Sequence, residues 1–126
     1  MTDGAPDFEV SVLRLAATAV VHVAGELDIA TAPILADVLH ALESPCDRVI
    51  LDLSALTFID SAGMRLAVSE YERATVDGFE FALAGAAGPV LRALRLVGLD
   101  VSLPMAPSLA AAVGDAGTNG DRPRMR

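Results

Sequence analysis

The stretch RVILDLSALTFIDSAGMRLAV, residues 48–68, decides the fold. Its first seven residues, RVILDLS (48–54), are apolar on both faces at the centre, which marks a strand buried between neighbours in a parallel sheet. Ala55 to Ile59 reads as a short loop. Asp60-Ser61-Ala62-Gly63 then opens a helix in which Met64, Ala67, Val68, Tyr71 and Thr75 recur at helical spacing, and Asp77-Gly78 ends it. Strand, short polar turn, helix is half of a crossover unit, so the chain is expected to build a mostly parallel sheet.

The flanks extend the same pattern. Downstream, FEFALAG (79–85) is the next strand, and Gly88-Pro89 begins a helix through Val97 that Gly98 closes. Leu99 to Leu103 is expected to hold a short last strand and Pro107 to Val113 a last helix. Upstream, FEVSVLRL from Phe8 alternates apolar and polar residues, as a half-buried strand does. AVVHVAG (19–25) is a second strand, and the short Ala16-Ala17-Thr18 link predicts a hairpin. Gly25 opens a polar loop, Glu26-Leu27-Asp28, and a helix starts near Thr31 with Pro33 in its first turn. Ile34, Leu35, Val38, Leu39 and Leu42 form its apolar stripe, leaving Asp37, His40 and Glu43 outside; Ser44-Pro45 stops it. Residues 1–7 read as a flexible arm. Residues 114–126, rich in Gly, Asp and Arg without periodicity, read as a disordered tail. One α/β domain over residues 8–113 is the expected organisation.

Composition removes many functions. The 126 residues are 53% hydrophobic but 4% aromatic and lack Trp, so the core should be aliphatic. A chain of this size buries roughly two-thirds of its unfolded surface and needs no covalent staple. Nine basic against 17 acidic residues leave a net charge of -8, which disfavours direct contact with nucleic acid or an anionic membrane. No apolar run approaches the roughly 20 residues that span a bilayer, and the acidic start resembles no signal peptide. A soluble cytoplasmic protein is expected. All nine basic residues are Arg, which excludes Schiff-base chemistry and a complete P-loop. One Cys (Cys46, beside Pro45) and two His (His22 and His40) leave little for a disulfide or a metal centre. No cofactor is expected.

Two loops hold the polar residues that a core does not explain: Gly25-Glu26-Leu27-Asp28 with Thr31, and Asp60-Ser61-Ala62-Gly63. Each leads from a strand into a helix, which places both at the carboxyl edge of the sheet. Ser61 stands out. A Ser at a helix start is ordinarily a cap, worth about 1 kcal/mol. The same geometry also suits a phosphoryl group, because free N–H groups and about half a positive charge face it there. Gly63 either clears the approach to that hydroxyl or lets the helix start pack tightly on the sheet. Asp52, inside a strand, reads as structural, and Asp60 either caps the helix or has another role. Asp28 has no evident capping role, since Thr31 lies nearer the helix, and is the best candidate for a functional acid. A serine hydrolase would need a base beside Ser61; His22 sits mid-strand and His40 on the outside of a helix, so no enzymatic activity is expected.

GELDIATAP (25–33) followed by VILDLSALTFIDSAGMRLAV (49–68) resembles the STAS-domain anti-sigma factor antagonists of bacteria, with agreement over roughly residues 8–113. The resemblance implies a small mixed, mostly parallel sheet of about four to five strands with helices packed mainly on one face. It also implies partner switching. The unmodified antagonist binds an anti-sigma factor, which is a serine kinase, and so releases a sigma factor; phosphorylation of a Ser dissociates the pair, and a serine phosphatase restores it. The acceptor falls on Ser61, the motif acids on Asp28 and Asp60, and the binding surface on Asp28, Thr31, Asp60, Ser61, Ala62, Gly63 and Arg65. Ala62 stands where the family often has a second hydroxyl. Arg65 replaces a frequent Gly and puts a cation one turn from Ser61. Two other readings remain: a non-switching STAS scaffold subunit of a lipid-transport or stress-sensing assembly, and a small-ligand or nucleotide-binding regulator.

Overall fold

The computed structural model describes residues 8–42 and 47–114. The arm expected at 1–7, Glu43 to Cys46 with the helix stop at Ser44-Pro45, and the tail beyond Gly114 lie outside the described residues. The elements are β1 (Phe8–Leu15), β2 (Thr18–Leu27), α1 (Ala32–His40), β3 (Arg48–Ile59), α2 (Ser61–Asp77), β4 (Glu80–Ala84), α3 (Gly88–Leu96), α4 (Leu99–Ser102) and β5 (Met105–Ala106). A final helical stretch covers 109–114.

The strands form one five-stranded sheet in the order β1-β2-β3-β4-β5. β1 and β2 are the expected antiparallel hairpin, turning through Ala16, which adopts the left-handed φ of +56°. Every later pairing is parallel. The order advances in one direction, so successive right-handed crossovers put their helices on one face. That is the mixed α/β sheet with helices mainly on one face implied by the resemblance. The core lies between that face and the helices: Val21, Val23, Leu51 and Leu53 of the sheet meet Leu35 and Leu39 of α1, Ala67 and Ala74 of α2, and Val90 and Leu94 of α3. Burying Leu35 and Leu39 almost completely contributes about 1.5–3 kcal/mol each. On the other face Ala112, from 109–114, covers Ile50 and Ala84.

Five expectations are corrected. First, Ala55 to Ile59 continues β3, and Glu26-Leu27 continues β2. The two strands stay paired to Leu27↔Ile59 through two register shifts, at each of which β3 carries an extra residue. These bulges turn strict alternation into the spacing Leu51, Leu53, Leu56, Ile59 for the buried side chains, which no period-2 template recognises. Second, Leu99 to Leu103 contains a helical turn rather than a strand, and the last strand is Met105–Ala106. Third, Ile34 is 51% exposed, and the core-facing stripe of α1 is Ala32, Leu35 and Leu39. Fourth, α2 buries Gly63, Ala67, Glu70 and Ala74, so Met64 and Val68 flank the core and Thr75 is exposed. Fifth, Gly114 is the end of the last helical stretch, not the beginning of the tail.

Candidate functional site at the head of the second helix

Pairing of β2 with β3 to their last residues brings the two polar loops side by side. Leu27 and Ile59 are register partners, and the Asp60 N–H donates to the Leu27 carbonyl at 3.1 Å. Asp28 and Asp60 therefore leave the sheet as neighbours, although 32 positions separate them.

Asp60 caps α2. Its Oδ1 accepts from the N–H groups of Ala62 (2.9 Å) and Gly63 (3.2 Å). Ser61 is thus not the cap, because the acid before it already holds the free donors. Its side chain is exposed at the first helical position and makes no hydrogen bond to a described residue. Ala62 is half-buried, and Arg65 is exposed one turn further along the face that carries Ser61.

Gly63 faces inward. It is buried, and a Cβ there would lie 2.8 Å from Leu27 Cγ and 2.9 Å from Ile59 Cγ1. Tight packing explains this glycine, which supports the site from beneath and presents no side chain to a partner. Gly63→Ala should destabilise the fold by about 1–3 kcal/mol, since the atoms in the way belong to a packed core. Urea unfolding measures this, and an unchanged midpoint would mean that the helix start is free to shift.

Asp28 also proves to have a local role. Its Oδ1 accepts from the N–H groups of Ala30 and Thr31, both at 3.0 Å. Thr31 occupies the N-cap position of α1 without a side-chain capping bond. Its hydroxyl instead donates to the Glu26 carbonyl (2.7 Å) and accepts from the Asp28 N–H (2.9 Å). Asp28 and Thr31 thus lock the turn between β2 and α1, as Asx and Ser/Thr turns do, and their first effect is to shape the loop.

The sequence reading missed the apolar surroundings. Ile29 is 75% and Phe58 46% exposed, on residues that flank the two loops. An open groove of about 540 Å³ runs from Ser61 between α2 and the α3–α4 junction, lined by Met64, Val68, Val97 and Leu99 with Arg65 and Glu72 at its rim. The signal was present in part: Val68 was assigned to the core stripe, and that it flanks the core and also lines this groove became visible only in three dimensions. Around the exposed Ser61 hydroxyl the molecule gathers a helix N-terminus, a cation and an apolar trough. The two imidazoles are engaged elsewhere, His22 with Asp52 and His40 with Glu70. No group of three His, Cys, Asp or Glu side chains among them is placed to hold a metal, and no helix is long and apolar enough to cross a membrane.

A family model for the STAS domain matches residues 9–112, and the chain belongs to that family. An anti-sigma factor antagonist from Mycobacterium paratuberculosis is 34% identical, with a TM-score of 0.78 over 88% of this chain and 96% of that one. A sulfate transporter family protein from Wolinella succinogenes, 19% identical, shares the fold with a TM-score of 0.77 over 87% and 93% of the two chains. The Bacillus cell fate determinant SpoIIAA in its phosphorylated form, 17% identical, shares it with a TM-score of 0.65 over 86% and 98%.

Proposed function

We propose that this protein is a cytoplasmic anti-sigma factor antagonist whose binding surface is switched by phosphorylation of Ser61. The observation that carries the reading is the division of labour at the head of α2: Asp60 caps, and Ser61 is left exposed with its hydroxyl unused among the described residues. The 34% identity to an anti-sigma factor antagonist supports the choice of partner. In the unmodified state an anti-sigma factor with serine kinase activity binds over Ser61, its apolar side chains entering the trough beside Met64 and Val68 and its polar groups meeting Asp28, Asp60 and Arg65. The kinase moves the γ-phosphoryl group of ATP to Ser61 Oγ, releasing ADP while the hydroxyl proton passes to a base or to water. The dianion then sits on the helix dipole without disturbing the fold and repels the partner. A serine phosphatase reverses the step.

The test is intact mass before and after incubation with the cognate kinase and ATP, with the site mapped. A single phosphate on Ser61, absent in Ser61→Ala, is the expected result; a label that persists in Ser61→Ala overturns the assignment. The likeness to a sulfate transporter family protein favours one other reading, a non-switching scaffold subunit. Co-purification separates the two, with a kinase and sigma factor expected here and transporter subunits or large particles for the scaffold.

A further inference from the structure

On the sheet face opposite α1–α3, a cavity of about 350 Å³ opens over β1–β3, in which Glu9, Ser11, His22, Asp52 and Ser54 share the lining with valine and alanine residues. Ser11, His22 and Asp52 stand in one rank across three strands, as register partners Ser11↔His22 and His22↔Asp52. Three local features converge on this rank. Asp52 is 5% exposed, with Oδ2 2.7 Å from His22 Nδ1 and Oδ1 accepting from the Ser54 N–H at 3.1 Å. The first extra residue of β3 falls directly after this pair and breaks the register there. Gly85, at φ +76°, closes on it from just past the end of β4, where a Cβ would lie 3.2 Å from Asp52 Oδ1 and 3.0 Å from Ser54 Cβ.

The arrangement sets the chemistry of the imidazole. A carboxylate only accepts, so Nδ1 carries the proton and Nε2 of neutral His22 offers a lone pair. Fixing a ring by a buried acid in this way is how proteins aim a histidine at something else. Two carboxylates line the cavity with the imidazole, Asp52 from β3 and Glu9 from β1, and no Arg among the described residues does. The cavity is therefore rich in acceptors and negative, which suits a positively charged donor. We propose that it binds a small organic cation bearing N–H groups, an amine or a guanidinium, with His22 Nε2 and the Glu9 carboxylate as acceptors. The site is independent of Ser61 and lies on the other face of the sheet.

Titration with agmatine, which carries both groups, followed by amide chemical shifts, tests the proposal. The expected result is saturable change centred on Ser11, His22 and Ser54, with none from acetate at equal ionic strength. His22→Asn should weaken binding about tenfold, the worth of one charge-assisted hydrogen bond, and Glu9→Gln, an exposed change that the fold tolerates, should weaken it several-fold. No saturable shift, shifts scattered over the surface, equal response to acetate, or unchanged binding in both variants would overturn it.

Discussion

Ser61→Asp should lower affinity for the anti-sigma factor about a thousandfold, while Ser61→Ala stays within a few-fold of the unmodified protein. A charge placed about 4 Å from a like charge, at an effective dielectric near 20, costs about 4 kcal/mol, and each 1.4 kcal/mol is a tenfold change in affinity. The same charge is tolerated at home. At the first position of a 17-residue helix it meets the positive end of the dipole, worth about 0.3–1 kcal/mol in its favour. The Asp variant should therefore unfold at or slightly above the temperature of the unmodified protein. Calorimetric titration with the anti-sigma factor, alongside thermal unfolding, reads both quantities. A folded Asp variant that binds as tightly as the Ser form would remove the electrostatic basis of the switch.

Arg73→Ala should cost about 3–5 kcal/mol of stability. Glu70 is 1% exposed in the middle of α2, and Arg73 grips it with two bonds, Nη2 to Oε1 at 2.8 Å and Nε to Oε2 at 3.1 Å. His40 at the end of α1 adds a contact at 3.2 Å, and Arg73 lies 5.2 Å from the Phe79 ring centroid. The bond to Glu70 holds the guanidinium pKa above its ordinary value. Truncating Arg73 leaves a buried carboxylate with one exposed imidazole for company, and an uncompensated buried charge is among the costliest single defects. For a domain of this size the melting temperature should drop by at least about 10 °C. Replacing both Glu70 and Arg73 by Met should recover most of the loss, because the desolvation cost disappears with the charge. If the double variant is no better than Arg73→Ala, packing rather than charge is the cause. The pair also ties α1 to α2, whose starts carry the two loops of the site, so the single variant should loosen partner binding as it loosens the fold.

Glu70 also shows where reading the sequence stops. A charged residue in the middle of a helix is assigned to solvent, so the expected stripe of α2 was rotated toward Met64, Val68 and Thr75. Nothing local announces that Arg73 and His40 will neutralise a buried acid, since one partner lies 30 positions away on another helix. Asp28 failed in the opposite direction. Its bonds to Ala30 and Thr31 are local and could have been read from the Asp-x-x-Thr spacing as an Asx turn. At Ser61 the position alone favoured an ordinary cap and left the acceptor role open. Asp60 taking the cap divides those roles, and only the built helix start shows it.

What the chain determines by itself is what acts over a few residues: the buried strand at 48–54, the helix starts near Thr31 and Ser61, the left-handed stop at Gly78 and the order of the elements. Hydrogen-bonding periods and capping are short-ranged, so they are written where they act. Which loops become neighbours, where β3 accommodates its two extra residues, which side of α2 faces inward, and that His22 meets Asp52 across the sheet were decided by tertiary structure. Those outcomes depend on strand register and on burial against distant side chains, quantities that exist only once the chain has closed on itself.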